Sequence, residues 1–128
     1  MITVHRDTTI FIISSNSYFT GGTLLLHQLG AWLNAHGFAV NMLYPQAGDD
    51  SIHPEFLKFN LDHTQEISDD EKDLLIVPES DPFELKKYKK VRKVLWWLSV
   101  DNYFRSFNNA SIKRQLFNKL MGHLGLYK

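Results

Sequence analysis

An α/β fold, in which a mostly parallel sheet is flanked by helices, is predicted by three features of the sequence. Short β-branched apolar runs recur along the chain, each too uniformly apolar for a strand with one wet face. Between them the apolar residues change to helical spacing. Glycine and proline punctuate the hand-overs, with Gly21-Gly22 and Gly37 bracketing the first helical stretch and Pro78 and Pro82 flanking a later turn.

The run TTIFIIS, Thr8 to Ser14, reads as a first strand buried on both faces. After Gly22, Leu25, Leu29, Trp32 and Leu33 fall at i, i+4, i+7 and i+8, with Leu26 beside them, and predict one apolar stripe along a helix. Gly37 stands where a left-handed residue ends a helix. FAVNMLY, Phe38 to Tyr44, follows as the second strand, reached by a right-handed crossover. PQAGDDSIHPEF is a loop in which Pro54 opens a short helical turn through Leu57. KFNLD is expected as a brief third strand, and SDDEKD as an acidic loop before the buried strand LLIV, Leu74 to Val77, which Pro78 closes. In DPFELKKYKK, Asp81 reads as an N-cap, Pro82 as the first helical residue and Glu84 as its capping partner. KVLWWLSV, Lys93 to Val100, is a further strand, DNYFRSFNN a loop, and ASIKRQLFNKLMGHL a final helix with Ile112, Leu116, Leu120 and Leu124 on one face. The order predicts one three-layer, Rossmann-like domain over residues 1–128.

Composition excludes several function classes. The chain has 128 residues and a formal net charge of zero, so its overall field favours neither nucleic acid nor an acidic membrane surface. Without cysteine it has no disulfide, no thiolate nucleophile and no cysteine-based zinc site. The six histidines are scattered, none at the i, i+4 spacing of a helical metal site, so no metal and no cofactor are expected. No apolar run approaches the roughly 20 residues that span a bilayer, and the start of the chain lacks the pattern of a signal peptide. A cytoplasmic location is expected. Acidic residues cluster from Asp62 to Glu84 and basic ones from Lys86 to Lys93, which reads as a solvated helix and its flanking loop.

Ligands of open α/β sheets bind outside the carboxyl ends of the strands. Four segments fall there: SSNSYFTGG, YPQAGDD, PESDP and DNYF. They bring Ser14, Ser15, Asn16, Tyr18, Asp49, Asp50, Glu79, Ser80, Asp81, Asp101, Asn102 and Tyr103 to one rim. Gly21 and Gly22 are the most pointed feature. At a helix N-terminus, free amides and the helix dipole favour an anion, and glycine lets it approach; Thr23 adds a hydroxyl. A tight turn without a ligand is the competing reading. The dinucleotide pattern G-x-G-x-x-G is absent, and no lysine follows the glycines as a Walker loop requires. Glu79 and Asp101 each end a strand and suit acid/base work or the holding of sugar hydroxyls. Asp81 is assigned to capping, His27 to a partly buried bond with a backbone carbonyl, and Trp96 and Trp97 to packing on opposite faces of the sheet. Tyr103 and Phe104 are placed to stack on a ligand.

The segments SSNSYFTGGTLLLHQLGAWLNAHGF, LLIVPES and VRKVLWWLSVDNYF resemble the N-terminal domain of bacterial GT-B glycosyltransferases, of the family-4-like type that builds capsular and other surface polysaccharides. The likeness spans about Ile10 to Phe104, and LLHQL together with WWLSVDNY carries most of it. It implies two Rossmann-like domains facing across a cleft, the C-terminal one holding most of a nucleotide-sugar donor and the N-terminal one a saccharide acceptor. By position it gives Gly21, Gly22 and Thr23 a role at the donor diphosphate, and Asn16, Tyr18, Glu79, Asp101, Asn102 and Tyr103 a role at the acceptor. The family often carries a glutamate where this chain has Leu24, so that carboxylate is not supplied here. Because the resemblance implies a donor-binding domain or partner chain beyond Lys128, the chain alone is not expected to transfer sugar, and no catalytic residue is assigned. Phe107, Leu126 and Tyr127 would then be exposed and favour a homodimer. A stand-alone, non-catalytic binding module and an unrelated flavodoxin-like or receiver-like domain are the alternatives. The last lacks the paired acids that a phospho-receiver needs for magnesium.

Overall fold

A computed structural model describes residues 1–45 and 51–99. The expected final helix, Asp49, Asp50, Asp101 to Phe104, Phe107, Leu126 and Tyr127 lie outside the described residues. The elements are β1 (Thr9–Ile13), α1 (Gly21–Ala35), β2 (Ala39–Leu43), α2 (Pro54–Leu57), β3 (Asp62–Thr64), β4 (Leu74–Pro78), α3 (Glu84–Lys87) and β5 (Arg92–Trp96). The five strands form one all-parallel sheet in the order β3-β2-β1-β4-β5, which is the predicted α/β, Rossmann-like architecture.

Strand alternation divides the core. Ile10, Ile12, Val40, Met42, Leu74 and Ile76 face α1 and pack with Leu26. Phe11, Ile13, Leu43, Leu75 and Val77 face the other way, onto Tyr88 and Val91. Burial on both sides explains why β1 and β4 are apolar runs, whereas β2 is interrupted by half-buried Asn41.

Helix α1 departs from its expected stripe. Leu26, His27 and Gly30 are buried, whereas Leu25 and Trp32 are 39% and 57% exposed. Gly30 is the cause: a Cβ there would lie 3.0 Å from Leu61 Cδ1, 3.3 Å from Met42 Sδ and 3.4 Å from Ile12 Cδ1. The helix rests on the sheet along its glycine, so the stripe centres on Leu26 and Gly30, flanked by Leu29 and Leu33. Trp32 instead stacks on His36, with ring centroids 4.0 Å apart. Gly37, at φ 87°, ends the helix as expected.

Three other boundaries move. The third strand lies at Asp62–Thr64, overlapping KFNLD at Asp62 alone, and pairs with β2. Strand β5 starts at Arg92 and ends at Trp96, so Trp96 packs on the α1 side of the sheet while Trp97 is past the strand and 47% exposed. Helix α3 is one turn long, because Tyr88 turns to extended backbone and enters the core. Its N-cap is Phe83, with no side-chain cap bond. Asp81 is therefore not the capping residue: its main chain closes a turn, donating to the Pro78 carbonyl and accepting from the Glu84 amide, and its carboxylate is left for other contacts.

Candidate functional site

The strand order reverses at β1: the chain first moves outward through β2 and β3, then returns to the other side of β1 with β4 and β5. The crevice beyond the carboxyl ends of β1 and β4 is therefore the topological switch point, where open α/β sheets take their ligands. A cavity of about 530 Å³ occupies it. One wall is the β1–α1 connection and the first turn of α1, from Ser14 and Ser15 to Tyr18, Thr20, Gly21, Gly22, Thr23 and Leu26; the other is Pro78 to Asp81, with Leu98 beside it. A smaller cavity of about 170 Å³ adjoins it through Ser14, Ser15 and Asp81, and adds Asn16, Tyr44 and Pro45.

The α1 wall is set by a reciprocal cap. The Thr20 hydroxyl accepts from the Thr23 amide at 3.2 Å, and the Thr23 hydroxyl accepts from the Thr20 amide at 2.8 Å. The Thr23 proton has the carbonyls of Tyr18 and Thr20 at 3.0 and 3.1 Å. Thr23 thus shapes the helix start, and its hydroxyl is engaged there. Gly21 and Gly22 are already helical, with ordinary negative φ, which removes the tight-turn reading. Packing does not demand them either: a Cβ on Gly21 would meet nothing within 4 Å, and one on Gly22 would make ordinary contacts with Thr20 Oγ1 at 3.7 Å and Leu98 Cδ1 at 3.8 Å. Their amides have no hydrogen-bond partner among the described residues, as is normal for a first turn. They are the bare, donor-rich lip of the cavity.

The β4 wall is acidic. Glu79 is 2% exposed; its amide donates to the Trp96 carbonyl at 3.1 Å, and its Oε2 has no hydrogen-bond partner among the described residues. Asp81 accepts from the Ser80 hydroxyl at 3.0 Å. Burial pushes the Asp81 carboxyl above its ordinary range; the Ser80 bond opposes this and the neighbouring Glu79 charge adds to it. No lysine or arginine is among the described residues lining either cavity.

The remaining groups hold the walls in place. Ser15 Oγ accepts from the Tyr18 amide at 3.0 Å, curling the loop after β1. Asn16 is buried; its Nδ2 donates to the Ser51 carbonyl at 2.9 Å and its carbonyl accepts from the His53 amide at 2.8 Å, joining the loops that follow β1 and β2. His27, 1% exposed, has Nδ1 at 2.7 Å from the Thr23 carbonyl and Nε2 at 2.8 Å from the Tyr44 hydroxyl. A carbonyl only accepts, so Nδ1 carries the proton and Nε2 accepts from Tyr44. Phe56 stacks on the ring at 3.8 Å and 5°. Burial lowers the His27 pKa, against the raising effect of the Thr23 bond, and raises the Tyr44 phenol to about 12. His27 is a neutral strut between the first turn of α1 and the end of β2, the role expected of it.

Of the residues singled out from sequence, the fold brings Gly21, Gly22, Thr23, Tyr18 and Glu79 to one cavity and Asn16 to its neighbour. Asp101, Asn102 and Tyr103 lie outside the described residues. Thr20 and Leu98 were not foreseen, and Asp81, placed on the rim by the sequence, was assigned to capping. For Thr20 a signal exists, since T-x-x-T ahead of an apolar run is a capping pattern; for Asp81 the Asp-Pro pair points to a cap instead. Among the described residues no group of three or more His, Cys, Asp or Glu could hold a metal ion, and no helix is long and apolar enough to cross a membrane.

Fold and crevice together define a Rossmann-like α/β domain with a switch-point cavity. No family model matches the chain, and no curated protein or solved structure matches it significantly.

Proposed function

We propose that this domain is the acceptor-side half of a cytoplasmic glycosyltransferase of polysaccharide synthesis, which works with a donor-binding domain to move a sugar from a nucleotide-sugar to a saccharide. The observation that carries the reading is the pairing of chemistries in one cavity: on one wall glycine amides and on the other a buried carboxylate, Glu79, whose Oε2 has no hydrogen-bond partner among the described residues. Amides of a first helical turn suit a phosphate oxygen, and a carboxylate acceptor suits hydroxyl donors. A ligand that is phosphorylated at one end and hydroxylated at the other satisfies both walls. The sequence resemblance supplies the reaction class. Thr23 fixes the angle of the amides, Glu79 receives hydroxyls, and exposed Tyr18 offers a face for a sugar ring.

The test is a ¹H–¹⁵N shift titration with uridine diphosphate and with oligosaccharides. Uridine diphosphate is expected to move the Gly21 and Gly22 amides, weakly for a single wall, and an oligosaccharide to move residues around Glu79. Replacing Gly22 by Ala is expected to weaken the diphosphate without unfolding the domain. Shifts elsewhere on the molecule, or none with either ligand, would refute the reading.

A further inference from the structure

Resting on the carbohydrate reading, we propose that the β4 wall of the crevice selects a ligand with a protonated amine, so that the saccharide it receives is an amino sugar. Glu79 is 2% exposed, and its Oε2 has no hydrogen-bond partner among the described residues. A buried carboxylate without a partner is among the least favourable arrangements in a fold, and it is relieved by a donor that also carries positive charge. No such donor comes from the described lining residues, which hold no lysine or arginine. A second carboxylate, Asp81, shares the wall and accepts from the Ser80 hydroxyl at 3.0 Å. Burial is the main cause that raises the Asp81 pKa, and the Glu79 charge adds to it.

A neutral sugar hydroxyl would give Glu79 a hydrogen bond but leave the charge of the wall uncompensated. An ammonium group supplies both, with three N–H donors for the carboxylates of Glu79 and Asp81. A divalent cation is the other way to balance two acids. It needs a larger oxygen set, and among the described residues no third acidic or histidine ligand joins these two. The amine end of the ligand would lie at β4 and any phosphate at the glycine amides, so the two walls read opposite charges on one molecule.

The probes are glucosamine, glucose and N-acetylglucosamine at neutral pH, followed by ¹H–¹⁵N shifts, with uridine diphosphate titrated separately. Glucosamine is expected to bind about tenfold or more tightly than the other two, the scale of a charge-assisted hydrogen bond. In Glu79→Gln, which keeps the shape and removes the charge, that preference is expected to fall to about twofold. Asp81→Asn, expected to lose about threefold of the preference, gives the same information if Glu79→Gln does not fold. Equal binding of the three sugars, or a preference for glucosamine that survives both substitutions, overturns amine selection and leaves the carbohydrate reading standing. Binding of uridine diphosphate with no response to any sugar also overturns it, while the phosphate wall stands. Silence towards all four probes removes both.

Discussion

Acid is expected to weaken this domain through His27. The ring is 1% exposed, spends its Nδ1 proton on the Thr23 carbonyl, receives the Tyr44 hydroxyl at Nε2 and is covered by Phe56. A second proton on Nε2 would have to displace the Tyr44 donor and leave a buried cation, and burial accordingly holds the pKa below the ordinary 6.5. For a base lowered in the folded state, the unfolded chain takes up the proton first. Stability is complete above pH 6.5, falls as the pH drops below it, and levels off only beneath the folded pKa. One proton limits the slope to about 1.4 kcal/mol per pH unit, a large share of the ~5–15 kcal/mol that holds a typical domain together. Urea unfolding at about pH 7.5, 6.5 and 5.5 measures that slope, with His27→Gln as the non-titrating control. Glutamine can still accept from Tyr44 but loses the stack on Phe56, so the variant is expected to be about 1–3 kcal/mol less stable near pH 7.5 and to lose less on acidification. Parallel pH profiles for the two proteins would show that His27 is not the group responsible.

Gly21→Ala is expected to keep or raise stability, by up to ~1 kcal/mol in thermal or urea unfolding, because a methyl there meets nothing and favours the helix. Gly30→Val is expected to cost about 1–3 kcal/mol in the same measurement, since even its Cβ would crowd Leu61 and Met42. Asp69→Ala removes the acceptor of the Lys89, Lys90 and Val91 amides, which lie 2.8 to 2.9 Å from its carboxylate, and hydrogen exchange at these three positions is expected to accelerate. The same bonds hold the Asp69 pKa below its ordinary value, so their contribution is present at neutral pH and is lost as the pH falls through the folded pKa. Glu79→Gln is expected to raise the stability of the ligand-free domain in urea unfolding, because it replaces a buried carboxylate whose Oε2 has no hydrogen-bond partner among the described residues.

Much of this fold was legible because parallel strands buried on both faces write themselves as apolar runs, and β1 and β4 are such runs. Elements whose bounds depend on partners far along the chain were not. Strand β5 begins at Arg92, whose amide donates to the Asp73 carbonyl and whose guanidinium donates to the Thr3 and Lys72 carbonyls and to the Thr8 hydroxyl, contacts that span much of the sequence. The face of α1 was misplaced by one position around the helix because periodicity weighs Leu25 and Trp32 as core residues and gives Gly30 no weight, although Gly30 sets where the helix touches the sheet. The rim was legible as a list of polar loops. Its sorting into a donor wall and an acidic wall was not, since burial of Glu79 and freeing of Asp81 follow from how β4, its turn and β5 pack.

The two walls share an energetic oddity that argues for a ligand more strongly than either alone. Two successive glycines in the first turn of a helix forgo helix propensity with no steric or dihedral reason, and a buried carboxylate oxygen with no hydrogen-bond partner among the described residues is unfavourable in the empty domain. Locally destabilising choices persist where something else offsets them, and in enzymes and binding proteins they concentrate at the site that meets the ligand. Here both line the same cavity, at the position where sheet topology independently directs a ligand. A gain in ligand-free stability in Gly21→Ala and Glu79→Gln, matched by loss of diphosphate and amino-sugar binding respectively, is the pattern this trade predicts. If either substitution instead destabilised the empty domain, its side chain would have a structural task within the fold, and the argument from that wall to a ligand would fail.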